Sequence, residues 1–170
     1  MNTNSVQFFE TNSAGGSTSA SQLILAAWQV SSPENIGKII RLAHNLGVSK
    51  VLFVQGDEQH RQSKIKKTAG FSYEQQNWLF ISEEEFSHSV LTEYPLIVLE
   101  TCDGAQNLFS SELPAKAVLL AGSESHGIPP HIIEKSKHRV YIPMPGGCKS
   151  MNISNALSVA AFEWFRKQNY

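Results

Sequence analysis

The chain has 170 residues and a formal net charge of −1, and 41% of its residues are hydrophobic and 17% charged. This length and composition predict one ordinary globular domain with a sizeable core. The near-neutral charge argues mildly against nucleic acid as a partner, because phosphate binding usually needs a basic surface.

Membrane insertion, secretion and metal binding find no support in the sequence. No apolar run approaches the ~18 residues of a membrane helix, and the N-terminus lacks the basic start and apolar stretch of a signal peptide. Cys102 and Cys148 form neither a CxxC metal pair nor a disulfide scaffold. We therefore expect a cytoplasmic protein with reduced thiols, no membrane contact and no metal site.

The predicted elements begin after an N-terminal arm. Residues 1–22 are rich in Ser, Thr, Asn and Gly, which predicts a flexible arm, with Phe8 and Phe9 as its possible anchors. Residues 23–170 are predicted to form the domain. Its predicted strands cover residues 23–30, 51–54, 78–81, 96–99, 118–121 and 140–142. Its predicted helices cover residues 33–47, 58–68, 132–136 and 153–167, and a further helix opens at the acidic run 82–86.

Apolar strands without polar alternation, separated by helices, are typical of a parallel sheet with helices on both faces. The predicted fold class is therefore α/β. Two helices are apolar on two sides, the one after Pro33 and the last one, whose second side has Val159, Phe162 and Phe165. The second side needs something to pack against. Another subunit and deep burial within the chain both remain open.

Two basic groups interrupt this pattern. Arg61, Lys64, Lys66 and Lys67 follow one another without an intervening acid. A second group consists of Lys135, Lys137, His138 and Arg139. Each group is either a contact for an anionic partner or a solvated face, and the sequence gives the two interpretations equal weight.

The first polar segment is NIGKIIR at residues 35–41. Asn35 or Glu34 could cap the helix that starts here. Arg41 stands between Ile40 and Leu42 on an otherwise apolar helix, which favours an anionic partner such as a phosphate or a carboxylate.

The second and third segments follow predicted strands. In residues 120–130, Gly122, Glu124 and Gly127 come directly after a strand, where ligands bind in parallel α/β sheets. Neither the phosphate-binding GxxxxGK[ST] pattern nor GxGxxG is present. In residues 142–154, a glycine loop leads to Ser150, Asn152 and Ser154. These exceed what one helix cap needs and indicate a bound polar ligand.

Taken together and in this order, NIGKIIR, AGSESHG and IPMPGGCKSMNIS resemble the three motifs of the SpoU branch of the SPOUT RNA methyltransferases. The resemblance spans residues 23–167. The first and third motifs look particularly like those of the minimal single-domain members that methylate the tRNA wobble ribose.

The resemblance implies a C-terminal trefoil knot, a homodimer with shared active sites, and S-adenosylmethionine as methyl donor. The cofactor contacts that it implies are Leu99, Glu100, Gly122, Ile142, Ser150 and Met151. The catalytic residues that it implies are Asn35, Arg41, Glu124, Ser150 and Asn152. The expected reaction is methylation of an RNA ribose 2′-hydroxyl, with tRNA favoured as substrate.

Arg41 is often given the role of base in this branch, but an arginine effectively never loses its proton in a protein. We expect it instead to hold a phosphate and to stabilise negative charge developing on the 2′ oxygen. The group Arg61, Lys64, Lys66 and Lys67 becomes the candidate RNA contact. Three alternatives stay open: methylation of ribosomal RNA, a non-catalytic RNA-binding or assembly factor, and an α/β domain that binds a small molecule.

Overall fold

The computed structural model describes residues 5–12, 22–55, 59–123, 125 and 127–170. In this part of the chain, a seven-stranded sheet has the order β3-β2-β1-β6-β4-β7-β5, and neighbouring strands are parallel throughout. The strands are β1 (Leu23–Trp28), β2 (Lys50–Val54), β3 (Trp78–Ile81), β4 (Leu96–Leu99), β5 (Gln106–Asn107), β6 (Ala117–Gly122) and β7 (His138–Tyr141). The predicted parallel α/β fold is confirmed.

The helices lie mostly where the sequence predicts them. They are α1 (Ser5–Asn12), α2 (Pro33–Leu46), α3 (Gln62–Ala69), α4 (Ser72–Gln75), α5 (Glu83–Glu85), α6 (Leu91–Glu93), α7 (Pro130–Ile133) and α8 (Ile153–Asn169). A π-helical turn, Phe86–Val90, joins α5 to α6.

Two predicted helices have different bounds in the structure. The helix predicted over residues 58–68 starts only at Gln62, because Arg61 has extended backbone angles, and Glu58 lies outside the described residues. The helix predicted over residues 132–136 starts earlier, at Pro130, where a proline fits the first helical turn, and ends at Ile133.

The N-terminal segment contains a two-turn helix, α1, for which the sequence gives no signal. Phe8 and Phe9 contact each other edge to face at 5.5 Å, and both side chains are exposed. Neither ring is therefore buried as an anchor in the described part of the chain. The mobility of the arm stays a prediction.

Both faces of the sheet are covered, as strand β1 illustrates. Leu23, Leu25 and Ala27 belong to the core cluster that α2, α3 and α8 complete. Ile24, Ala26 and Trp28 point to the opposite face and pack in the cluster that contains Phe86 and Ile132. A central strand buried on both sides explains why its sequence is apolar without alternation.

Helix α2 has defined stops at both ends. The Ser32 hydroxyl accepts a hydrogen bond from the Asn35 amide at 3.2 Å, and Pro33 occupies the first turn. Gly47 ends the helix in the left-handed conformation, with φ of 69°. The suggestion that Asn35 or Glu34 caps α2 is therefore wrong, because Ser32 is the cap and both residues lie inside the first turn of the helix.

The two apolar sides of α2 are both buried inside one chain, so deep burial is the correct alternative for this helix. Its buried residues are Asn35, Ile36, Gly37, Ile39, Ile40, Leu42, Ala43 and Leu46. In α8, by contrast, the second side is only partly covered. Val159 and Phe165 are half-buried there, and Phe162 is 52% exposed.

The described helices include none that is long and apolar enough to cross a membrane. The trefoil knot that the resemblance implies stays a prediction.

Candidate active site

A cavity of about 370 Å³ opens at the carboxyl ends of strands β4, β6 and β7. We call it the strand-end cavity. It is lined by Leu99, Glu100, Thr101, Ala121, Gly122, Ser123, Ser125, Gly127, Tyr141, Ile142, Met144, Lys149, Ser150, Met151, Asn152, Ile153 and Ala156. Both its position in a parallel sheet and its size are typical of a small-molecule site.

All six residues that the resemblance implies as cofactor contacts line this one cavity. Leu99 and Glu100 come from the end of β4, Gly122 from β6 and Ile142 from the residue after β7. Ser150 and Met151 come from the segment that leads into α8. The structure thus brings together residues that lie more than fifty positions apart in sequence, from Leu99 to Met151.

Gly122 and Gly127 allow the chain to turn back on itself at the rim of the cavity. A Cβ added to Gly122 would lie 2.6 Å from the Gly127 carbonyl oxygen and 2.7 Å from its Cα. Gly127 has φ of 62°, a left-handed conformation that favours glycine. Ser123 and Gly127 are joined by an antiparallel bridge. The rim is therefore built of backbone, which leaves the space beyond it open.

Charged side chains of both signs border the cavity. The Glu100 carboxylate accepts a hydrogen bond from the Thr101 amide at 2.9 Å and lies beside Gly127. Lys149 donates to the Met144 carbonyl at 2.8 Å, closing the glycine loop 145–149 upon itself. A ligand here would meet a carboxylate on one wall and an ammonium group on another.

Asn152 connects the cavity to the start of α2. It caps α8, where its Oδ1 accepts from the Ser154 amide at 3.0 Å and from the Ser154 hydroxyl at 2.6 Å. Its Nδ2 donates to Asn35 Oδ1 at 3.1 Å across 117 residues of sequence. Asn35 is buried and does not line the cavity. Of this pair, Asn152 can touch a ligand directly, and Asn35 holds it in place.

Arg41 lies away from the strand-end cavity, on the exposed side of α2 with Glu34 and Lys38. Arg41 is exposed because it occupies the side of α2 that the neighbouring elements leave uncovered. Arg41 lies six positions after Asn35 in the helix. That spacing turns the side chain by about 120° around the axis and moves it about 9 Å along it.

Of the remaining predicted site residues, Glu124 lies outside the described residues, whereas Ser150 borders the cavity.

The two cysteines differ in their surroundings. Hydrogen bonds with the backbone and hydroxyl of Ser150 lower the pKa of the neighbouring Cys148 thiol. Partial burial raises the pKa of Cys102. Both cysteines are free, and the described residues contain no group of His, Cys, Asp and Glu side chains suited to a metal ion.

The four residues of the candidate RNA contact are all exposed, on and just before α3. Lys64 lies 3.5 Å from the Glu34 carboxylate, and Lys66 lies 2.7 Å from that of Glu74. Sequence inspection finds no acid in this stretch because both partners come from other helices. Exposed pairs of this kind are weak, so both lysines stay available to an anion.

The cavity also contains residues that the sequence analysis does not single out. Ala121, Ser123, Ser125, Met144, Lys149 and Ile153 fall inside the second and third segments, so membership of those segments is the signal that could find them. Thr101, Tyr141 and Ala156 fall outside those segments. They are brought in by the ends of β4 and β7 and by the first turn of α8.

The fold and the cavity together define a parallel α/β protein with a ligand site at its strand ends. The chain belongs to the SpoU rRNA Methylase family, whose model matches residues 22–162.

Two relatives illustrate the range of this similarity. The chain is 27% identical over 147 residues to the tRNA (cytidine(34)-2'-O)-methyltransferase of Yersinia pestis, and the match covers 81% of this chain and 89% of that protein. It is 28% identical over 141 residues to the 23S rRNA (guanosine-2'-O-)-methyltransferase RlmB of Photorhabdus laumondii subsp. laumondii. That match covers 82% of this chain but only 58% of the relative.

A solved structure shares the fold. The AdoMet-bound rRNA methyltransferase from Sinorhizobium meliloti superposes with a TM-score of 0.79 at 22% identity, over 85% of this chain and 56% of that one. The chain therefore spans about half the length of some relatives and most of the length of another.

Proposed function

We propose that this protein transfers a methyl group from S-adenosylmethionine to a ribose 2′-hydroxyl of RNA, most readily of a tRNA. The observation that supports the proposal best is the convergence of all six expected cofactor residues on one strand-end cavity. Family membership supports the reaction class, since relatives of both kinds are named as 2'-O-methyltransferases.

The cavity has the chemistry that S-adenosylmethionine requires. Leu99, Ile142 and Met151 offer an apolar wall for the adenine ring. The exposed backbone around Gly122 and the Glu100 carboxylate offer partners for the amino and hydroxyl groups. When bound, S-adenosylmethionine supplies a methyl group that its sulfonium already activates.

The work left to the chain is to orient the ribose hydroxyl in line and to help it lose its proton. Asn152, fixed by its bonds to Ser154 and Asn35, presents a preorganised amide at the cavity wall. Ser150 places a hydroxyl beside it. Glu124 follows Ser123 in the sequence, and we assign it to the same site on the motif alone.

Arg41 would hold a phosphate of the RNA and stabilise negative charge on the 2′ oxygen. Since Arg41 is exposed and does not line the cavity of its own chain, we propose that it completes the cavity of a second copy in a homodimer. The incompletely covered side of α8, with Phe162 at its centre, is the candidate interface.

Mixing two inactive variants tests this arrangement. Arg41→Ala and Ser150→Ala homodimers are mixed and allowed to exchange subunits. If Arg41 serves the partner's cavity, each mixed dimer contains one intact site, and the mixture gains activity that neither variant has alone. A mixture that stays inactive, while native mass spectrometry shows mixed dimers, would place Arg41 at its own cavity. Arg41→Lys should lose most methyltransferase activity, because lysine keeps the positive charge but lacks the planar guanidinium group that can hydrogen-bond two oxygens at once.

The choice between tRNA and rRNA rests on how much of each relative the match covers. The chain matches 89% of the tRNA-specific relative but only 58% of the rRNA-specific one, which contains sequence that this chain does not match. This favours tRNA. Mass spectrometry of nucleosides from tRNA and rRNA of a deletion strain names the substrate, since loss of one 2′-O-methyl nucleoside identifies the RNA that receives it.

Calorimetry tests whether the chain binds S-adenosylmethionine, on which the whole proposal depends. Absence of binding near cellular concentrations would overturn it and favour a different small molecule in the cavity. Cofactor binding together with RNA binding, but without methyl transfer to any RNA, would favour an assembly factor instead.

The exposed group Arg61, Lys64, Lys66 and Lys67 is the proposed RNA contact. Its neutralisation should weaken RNA binding and flatten the salt dependence of that binding, while the affinity for S-adenosylmethionine stays unchanged.

The free thiols Cys102 and Cys148 favour a reducing compartment, and we assign the protein to the cytoplasm.

A further inference from the structure

Phe71 is an aromatic side chain displayed in solvent at the turn between α3 and α4. Its side chain is 73% exposed, more than any other large hydrophobic one in the described part of the chain except the C-terminal Tyr170. Single exposed apolar residues are common. The surroundings of Phe71 set it apart.

The turn holds Phe71 in a fixed place. Gly70 adopts the left-handed region, with φ of 61°, and its amide donates to the Lys66 carbonyl at 2.9 Å. The ring meets the His44 ring edge to face at 5.1 Å, and His44 Nδ1 lies 3.0 Å from the Ser72 hydroxyl. An exposed ring that is already ordered loses little entropy when a ligand stacks on it.

Contacts between α2 and α3 fix what lies next to Phe71. Glu34 meets Lys64 near the start of both helices, at 3.5 Å. Gly37 lies against Thr68, since a Cβ there would be 2.7 Å from the Thr68 Cβ. The His44–Phe71 contact closes the far end. The two helices therefore run side by side in the same direction.

Lys38 and Arg41 lie on the exposed side of α2 between these contacts, and Lys67 lies on α3 one turn before Phe71. Among the described residues, no ion pair joins any of these three cations to an acid. We call the exposed set Lys38, Arg41, Lys64, Lys67 and Phe71 the α2–α3 surface.

Cations beside an ordered aromatic ring match the chemistry of unpaired RNA. Phosphates contact the cations, and a nucleobase stacks on the ring. We propose that Phe71 stacks on an unpaired base of the RNA while Lys67 and Arg41 contact its phosphates. This inference rests on the proposed function and adds a base-stacking contact at Phe71 to the phosphate contacts proposed above.

The test uses the full chain and a stem-loop RNA with 2-aminopurine in its loop, because stacking on an aromatic ring quenches that base. Phe71→Leu keeps the apolar bulk and removes the ring, and Phe71→Trp keeps a ring. We expect Phe71→Leu to weaken RNA binding about fivefold to about a hundredfold and to lose the quenching. Phe71→Trp should keep both affinity and quenching.

Salt dependence separates stacking from charge. Phe71→Leu should leave the slope of log K against log salt unchanged, whereas Lys67→Gln should reduce it by about one phosphate contact. Phe109→Leu is the matched control, since Phe109 is 48% exposed and lies outside the α2–α3 surface. It should bind the RNA as the wild type does.

Three results would overturn the stacking role: unchanged affinity in Phe71→Leu, an equal loss in Phe109→Leu, or a changed sedimentation coefficient in Phe71→Leu. The last would make Phe71 a contact between copies. If the wild-type chain binds S-adenosylmethionine and methylates RNA, but Phe71→Leu binds RNA normally, only the stacking role is contradicted and the proposed function stands. If the wild-type chain neither binds S-adenosylmethionine nor methylates RNA, the proposed function itself is contradicted.

Discussion

The strand-end cavity and the α2–α3 surface differ in what they are made of. The cavity is enclosed by the ends of buried strands and by the segment that leads into α8, and one chain supplies the whole lining described above. The α2–α3 surface consists of long exposed side chains on two packed helices. A fixed small cofactor suits the first kind of site, and a large flexible polyanion suits the second.

Each region also depends on one glycine that allows close packing. Gly122 lies against the backbone of Gly127 at the cavity, and Gly37 lies against α3 below the α2–α3 surface. Substitutions at these two positions can therefore disturb one region while sparing the other.

Gly122→Ala should have the largest effect. The new Cβ would collide with Gly127 backbone, which cannot move aside as a flexible side chain could. We expect the free energy of unfolding to fall by about 3 kcal/mol, and S-adenosylmethionine binding to be lost. Urea denaturation and calorimetry measure the two effects.

Gly146→Ala is the control, because a Cβ there meets nothing within 4 Å. Its free energy of unfolding should change by less than about 0.5 kcal/mol. Equal stability of the two variants would mean that the close approach of Gly122 to Gly127 is not required.

Gly37→Ala should have a smaller effect, confined to the other region. The new Cβ would lie 2.7 Å from the Thr68 Cβ and 2.8 Å from the Ile65 carbonyl oxygen. Overpacking costs about 1–3 kcal/mol, and the gain from replacing glycine in a helix offsets about 0.5–1 kcal/mol of it. RNA affinity should fall as α3 shifts, while calorimetry should show cofactor binding retained.

The exposed Asn45→Ala on the same helix serves as control and should leave both measurements unchanged. If Gly37→Ala lost cofactor binding as completely as Gly122→Ala does, the two regions would not be separable.

The bond between Asn35 and Asn152 joins the two regions. A double-mutant cycle with Asn35→Ala and Asn152→Ala should give a coupling of about 1 kcal/mol in the free energy of unfolding. Asn152→Ala alone should cost about 1–2 kcal/mol, because it also removes the cap of α8. Asn35→Ala combined with Asn169→Ala, at the far end of α8, should be additive. If the effects of Asn35→Ala and Asn152→Ala on the free energy of unfolding were additive, the hydrogen bond between the two side chains would contribute nothing to stability.

The sequence predicts the buried parts of the molecule well for a physical reason. A strand covered on both faces must be apolar throughout, so its apolar run marks it, as in β1 and β6. Strand β5 has only the two polar residues Gln106 and Asn107 and leaves no such mark. The strand-end segments likewise locate the cavity, since carboxyl ends of parallel strands share one edge of the sheet.

Prediction fails where the answer depends on packing between elements distant in sequence. The sequence around Arg41 fixes its spacing from Asn35 but not which side of α2 the neighbouring helices cover. The acids that meet Lys64 and Lys66, Glu34 and Glu74, come from other helices. The exposure of Phe71 depends on the turn at Gly70. No local pattern contains this information.

The smallest effect concerns the strand-end cavity alone and leaves stability unchanged. Cys148 is exposed in the loop beside the cavity, and its bonds to Ser150 lower the pKa of its thiol, whereas burial raises that of Cys102. The thiolate is the reactive form. As the pH rises, iodoacetamide should therefore alkylate Cys148 in a lower pH range than Cys102, as followed by mass spectrometry of peptides. S-adenosylmethionine should slow this labelling, since Lys149 and Ser150 line the cavity. Labelling of Cys148 that stays equally fast in saturating S-adenosylmethionine would place its loop away from the bound cofactor.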